Sequence, residues 1–345
     1  MGKTDQKGLG AHEIEQWAMG QGLDAYRGRQ IRHWLFKKMA ESFEEMTTLP
    51  KELRASLQEK ACIGHLKKVE TQESRDGTKK YLFKLEDDHF IESVLIPERD
   101  HYTLCISSQA GCAMDCRFCL TAKQGLKRNL TASEIVDQVI HLKRSMSNPD
   151  RLTNIVFMGM GEPLANYEAV KKAVINLMDD TGLNFSRRKI TLSTCGLVPQ
   201  MERWGREVKI KLAVSLNAAD DNTRSLLMPI NKKYALEALL KACKTFPLPR
   251  GERITFEYIL IKEINDGDDD AKNLAEILTG IQAKINLIPL NPHEGTPMSP
   301  PSIERINQFQ EILLKRNYTA IIRKSRGSDI CAACGQLSGE ASRIR

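Results

Sequence analysis

Residues 111–120 read Gly-Cys-Ala-Met-Asp-Cys-Arg-Phe-Cys-Leu, which sets Cys112, Cys116 and Cys119 in a C-x3-C-x2-C array. Three soft thiolates within eight residues are too dense for side chains that merely pack, and they predict a metal loop. A structural zinc site closes all four positions with protein ligands, and a ferredoxin-type cluster saturates its four irons with Cys. A four-iron cluster on three cysteines keeps one iron open, and an open iron is a place for chemistry. Zinc with a fourth ligand elsewhere in the chain is the competing reading.

Outward from this loop, the 345 residues carry 41% hydrophobic side chains, enough for a large core. The 51 basic against 44 acidic residues leave a formal charge of +7, which suits a polyanionic partner without demanding one. Nine cysteines, an odd number, argue against a secreted disulfide scaffold and for a reducing cytoplasm. No apolar run reaches the ~18 residues of a membrane span.

Residues 1–65 are expected to form a small helical domain, with Ile14, Trp17 and Ala18, then Ile31, Trp34, Leu35 and Met39 at helical spacing. Tyr26, Arg27, Arg29, Arg32, Lys37 and Lys38 lie among them, either a grip on nucleic acid or a solvated face. Residues 66–100 switch to period two around Asp76-Gly77 and are expected to form a β-hairpin linker. From 101 to 325, strands and helices alternate about every 30 residues, the cadence of βα units in a parallel sheet, here a partial (βα)6 barrel. Thr131 and Glu134 form a capping box that opens the helix after the cysteine loop.

Catalytic groups of such barrels sit in loops at the C-terminal ends of strands. The cysteine loop follows strand one, Gly159-Met160-Gly161-Glu162-Pro163 follows strand two, and Ser193-Thr194-Cys195-Gly196 ends strand three. Ser215-Leu216-Asn217 ends strand four and Asn291-Pro292 ends strand six. Gly161 admits close backbone approach, Glu162 offers an acceptor to an ammonium, and the Ser and Asn side chains offer neutral hydrogen bonds. The C-terminal segment, 326–345, brings Cys331 and Cys334 after the last strand, and Cys105 lies on strand one. Thiols at 105 and 334 facing one cavity could form a covalent link to a substrate and then a disulfide; a zinc-binding or redox C-x-x-C, or plain packing, are the alternatives.

The segments TLCISSQAGCAMDCRFC, FMGMGEPLAN, ITLSTCG, INLIPLNP and DICAACGQL resemble, in this order, the RlmN/Cfr group of radical-SAM RNA adenine methyltransferases. GRQIRHWLF and FIESVLIP extend the resemblance over nearly the whole chain, and its RlmN branch is the more similar. The resemblance implies an α/β radical-SAM partial barrel and a [4Fe-4S] cluster on Cys112, Cys116 and Cys119. S-adenosylmethionine would meet Gly161, Glu162, Ser193, Ser215, Leu216, Asn217 and Asn291, and two molecules would be consumed per turnover. Cys334 would carry the methyl group, Cys105 would release the product through a disulfide with Cys334, and Glu92 would accept a proton.

By the same resemblance the substrates are C2 of adenosine in 23S rRNA and in a tRNA anticodon stem-loop, with an electron donor such as flavodoxin. A cytoplasmic monomer is expected. C8 chemistry of the Cfr type, a zinc-stabilised RNA-binding protein, and a radical-SAM enzyme for a protein or small molecule are the other readings. This sequence departs from the group's pattern at Asn217, where many relatives carry His, at Cys331, an added thiol, and at Cys195, often Ser or Ile.

Overall fold

The computed structural model describes residues 3–293 and 295–340; residues 1–2 of the N-terminal domain, Glu294 and residues 341–345 of the C-terminal segment lie outside them. Helices α1 (Ala11–Gly20), α2 (Ala25–Phe36) and α3 (Lys51–Lys60) come first. Ile14, Ala18, Ile31 and Leu35 are fully buried along one face of α1 and α2, while Met39, at φ 55°, falls beyond the end of α2. Of the basic residues in this region, Arg32 turns inward: it is 3% exposed and pairs with Asp179 at 3.2 Å. Tyr26 stays outside at 56% exposure, with Arg27 and Arg29 flanking its ring.

Ten strands form the main sheet, in the chain order β1 (Lys67–Glu73), β2 (Lys79–Lys84), β3 (Phe90–Pro97), β4 (Tyr102–Cys105), β5 (Leu152–Phe157), β6 (Ile190–Thr194), β7 (Lys211–Ser215), β8 (Ile254–Leu260), β9 (Ala283–Pro289) and β10 (Ala320–Ile322). From β4 to β10 each strand pairs in parallel with the next, an open barrel with its helices outside. Each crossover between neighbouring parallel strands carries at least one helix, as the crossover rule for parallel strands requires.

Residues 66–100, expected as a β-hairpin linker, form three strands of the main sheet. β1, β2 and β3 continue the barrel sheet antiparallel, with Val94 opposite Cys105 at the join. The reason is burial on both faces: Ile91, Glu92, Ser93, Val94 and Leu95 are all buried in succession, which a bridging hairpin would not allow. β4 is also shorter than the run TLCISSQ. The chain leaves the sheet at Ile106 because Ser107 bonds sideways, its Oγ to the carbonyl of Glu92 at 2.6 Å and its N–H to Gln138 at 2.8 Å. No helix of the described residues is long and apolar enough to cross a membrane.

Candidate active site

After β4 the chain makes a small hairpin, Gln109–Gly111 against Leu126–Asn129, and the three cysteines hang from its closed end. Gly111 is required there: at φ 76°, a Cβ would sit 1.9 Å from the carbonyl oxygen of Gly125. The loop is gripped from two sides. Arg117 donates its N–H to the carbonyl of Leu227 at 3.0 Å, and Leu120 donates to the carbonyl of Gly335 at 2.7 Å. The second of these bonds ties the cysteine loop to the C-terminal segment.

Cys112, Cys116 and Cys119 line one cavity with Gly161, Glu162, Ser193, Ser215, Asn217 and Cys334. Its empty volume is about 870 Å³, part of it open to solvent. Burial pushes the Cys112 thiol up to about 12 and raises Cys116 and Cys119; for Cys116 the charges of Cys119 and Cys112 add to the effect. Thiolates so placed are costly unless a positive centre meets them. Among the described residues no three His, Cys, Asp or Glu side chains converge to hold a single metal ion. A four-iron cluster spaces its thiolates farther apart than one ion does, so three thiols set apart around a cavity fit the cluster.

Around the rim, Glu162 is 4% exposed and already engaged: Oε1 accepts from Thr194 Oγ1 at 2.8 Å and Leu164 N at 3.0 Å, and Oε2 from Cys195 N at 2.8 Å. Burial raises its pKa, against which these bonds work. Gly161, at φ 99°, packs against Gln109, whose Oε1 accepts from Glu162 N. Asn217 reaches the cavity wall, yet its Oδ1 accepts from Ile259 N at 2.9 Å, so the amide chiefly ties β7 to β8. Leu216 is fully buried; its N–H bonds to Glu257 and its carbonyl accepts from Arg224. Ser193 donates to Glu257 Oε2 at 2.8 Å.

Glu257, on β8, is a cavity residue that sequence reasoning missed. Its one signal is an acid inside the otherwise apolar run ITFEYIL, in register with Ser215. Burial raises its pKa, while Ser193, Arg323 and Ser215 favour the carboxylate.

Cys334 reaches the cavity from the C-terminal segment. The residue is exposed and lines the cavity, and the protein packed around its thiol pushes it up to about 11. Asn291 holds it by an Nδ2 bond to its carbonyl. Cys105, 7% exposed at the end of β4, receives the N–H of Met158, a cavity residue, and feels the charge of Cys334. Cys331 faces outside, with Lys80 on its carbonyl at 3.3 Å.

Glu92 does not join this wall. It is 1% exposed, pairs with Lys80 at 3.0 Å, and accepts the N–H groups of Ser338 at 2.7 Å and Gly339 at 2.9 Å. Further up the same segment Asp329 accepts from Ser74 and Arg75, and Asp76 from Gly327. The carboxylates thus tie 327–339 to β1–β3 and the turn between them.

The sequence profile of the Radical SAM superfamily matches residues 106–275, and that of the ribosomal RNA large subunit methyltransferase N-terminal domain matches residues 4–63. The dual-specificity RNA methyltransferase RlmN of Geobacter sulfurreducens is 53% identical over 341 residues, 99% of this chain and 94% of its own length. That of Desulfosudis oleivorans is 52% identical over 325 residues, 94% of this chain and 88% of its own. The crystal structure of a radical SAM methyltransferase from Sphaerobacter thermophilus superposes with a TM-score of 0.94 at 46% identity, covering 98% of this chain and all of that one. With the cysteine loop, the open barrel and these relatives in agreement, the chain belongs to the RlmN family of radical SAM RNA methyltransferases.

Proposed function

We propose that this enzyme methylates C2 of adenosine in 23S rRNA and in tRNA, with Cys334 as the methyl carrier. The observation that carries this reading is the placement of the Cys334 thiol in the wall of the cavity that Cys112, Cys116 and Cys119 also line. Cys112, Cys116 and Cys119 would hold a [4Fe-4S] cluster, and Gly161, Glu162, Ser193, Ser215, Leu216, Asn217 and Asn291 would meet S-adenosylmethionine. When bound, these groups supply a methyl group and, from a second S-adenosylmethionine, a 5'-deoxyadenosyl radical, with electrons from a donor such as flavodoxin.

The chain's own part is to present and recover a sulfur. Cys334 would take the methyl group as S-methylcysteine, give one of its hydrogens to the 5'-deoxyadenosyl radical and bond its carbon to the ring, which loses one electron and the C2 proton. Attack of the Cys105 thiolate on the Cys334 sulfur would then form the disulfide as the S–C bond breaks and the freed carbon takes up a proton, and the electron donor would return the disulfide to two thiols. Adenine C2 is a poor nucleophile, which is why a methyl cation alone is not enough. Glu257 faces the same cavity, whereas Glu92 is already paired with Lys80 and two tail N–H groups. A proton-accepting role for Glu92 therefore requires the tail to lift off it. The monomeric enzyme works in the cytoplasm on structured RNA, approached by the outward Tyr26, Arg27 and Arg29.

The test is mass spectrometry of nucleosides from rRNA and tRNA of cells with and without the protein. 2-Methyladenosine should be present only with it. 8-Methyladenosine in its place would move the assignment to C8.

A further inference from the structure

Arg224 lies in the short helix Asp221–Leu227, fully buried, on the side of that helix's contact with the cysteine loop. Leu227 and Met228 pack with Phe118 and Cys195, and Leu227 takes the N–H of Arg117. The guanidinium donates to four acceptors, and all are neutral. They are the carbonyls of Leu216 at 3.1 Å, Cys195 at 2.8 Å and Ser215 at 3.3 Å, and Asn231 Oδ1 at 2.8 Å.

Hydrogen bonds satisfy its donors and leave its charge unanswered. Among the described residues no carboxylate forms an ion pair with it; Asp221, on the same helix, is spent on Asn231 and the N–H of Leu236. Cys195 and Ser215, two of the residues whose carbonyls it binds, line the cavity that Cys112, Cys116 and Cys119 share, so the cation lies against the wall of that cavity. A buried cation without an anionic partner is costly and is retained where an anion completes it.

We propose that Arg224 is a positioning residue that supplies the buried positive charge facing the cysteine-held cluster, and so raises its reduction potential. This rests on the iron–sulfur reading of Cys112, Cys116 and Cys119. One-electron reduction adds a negative charge to the cluster, and a nearby fixed cation in a low-dielectric wall favours the reduced state. The same side chain braces the loops that carry Cys195 and Ser215, so a charge effect and a bracing effect have to be separated. Lysine keeps the charge and loses the fork; glutamine loses the charge.

The experiment is an EPR-monitored redox titration of anaerobically reconstituted, full-length protein without RNA, alongside iron content and thermal unfolding. Arg224→Gln is expected to lower the midpoint potential by about 59 mV or more, a tenfold change in the one-electron equilibrium, at unchanged iron. Arg224→Lys should stay near the potential of the unsubstituted protein. An unchanged potential in Arg224→Gln, or equal shifts in both variants, overturns the proposal. If Arg224→Gln loses iron while Arg224→Lys keeps both iron and potential, the charge requirement stands; if both lose iron alike, Arg224 is only a brace and the proposal fails. Failure of the unsubstituted protein to take up iron would instead strike the iron–sulfur reading.

Discussion

Asn291 donates its side-chain N–H to the carbonyl oxygen of Cys334 at 3.1 Å, so a barrel strand end holds the backbone that carries the Cys334 thiol. The other end of the same amide accepts from Ser325 Oγ, which ties Cys334 and the residue before the segment to one side chain. Removing one such bond costs about 1 kcal/mol, roughly fivefold in occupancy of the docked segment. Asn291→Ala removes both bonds and is expected to slow RNA methylation by about fivefold or more with iron content intact, read by single-turnover assay and iron analysis.

Cys334→Ala should bind and cleave S-adenosylmethionine and yield no methyladenosine. Cys105→Ala should leave RNA covalently held on Cys334, a slow band on a denaturing gel. RNA that turns over freely in either variant would contradict a methyl relay between these two thiols.

Glu92→Gln leaves Lys80, 9% exposed, as a buried cation without its counter-charge. Breaking such a pair costs about 3 to 5 kcal/mol. The expected outcome is a lower unfolding temperature and earlier proteolytic cleavage in 324–340, while the cysteine loop still takes iron.

Burial holds Cys334 up to about 11, so at neutral pH the iron-free protein carries it as the thiol. The thiolate is the nucleophile, and below the pKa its fraction grows about tenfold per pH unit. Iodoacetamide labelling of Cys334, followed by peptide mass spectrometry, should therefore accelerate steadily from pH 7 to pH 10. A rate that levels off near pH 8 would show an ordinary exposed thiol instead.

At Gly161 a methyl group would lie 2.5 Å from the Cβ of Gln109, at a φ of 99° that L side chains rarely adopt. Gly161→Ala should cost about 2 kcal/mol or more and displace the hairpin under the cysteines. Calorimetry and iron per chain are both expected to fall.

The alternation of strands and helices was legible because each unit writes its own period and caps, as Thr131 and Glu134 do with bonds of 3.1 and 2.8 Å. The cysteine loop was legible because its three thiols are close in sequence. Glu257 was not: its meaning comes from register with Ser215 on a neighbouring strand, and one acid in an apolar run predicts nothing alone. Arg224 hid for a similar reason, since its acceptors are backbone carbonyls that any sequence could provide. Asn217 was read as a cofactor contact, and its hydrogen bond to Ile259 shows that the same amide also joins two strands. The clamp of Asp329 on Ser74 spans 255 positions, a separation that leaves no local pattern.

That the segment bearing Cys334 is fastened to β1–β3 and not to the barrel alone has a genetic consequence. A screen for inactive enzymes would collect lesions at Lys80 on β2, Glu92 on β3, and Ser74 and Asp76 in the turn before β2, all outside the thiol cavity, in proteins that still turn brown with iron. Such alleles would be blind in one hand only: able to start radicals, unable to pass the carbon on.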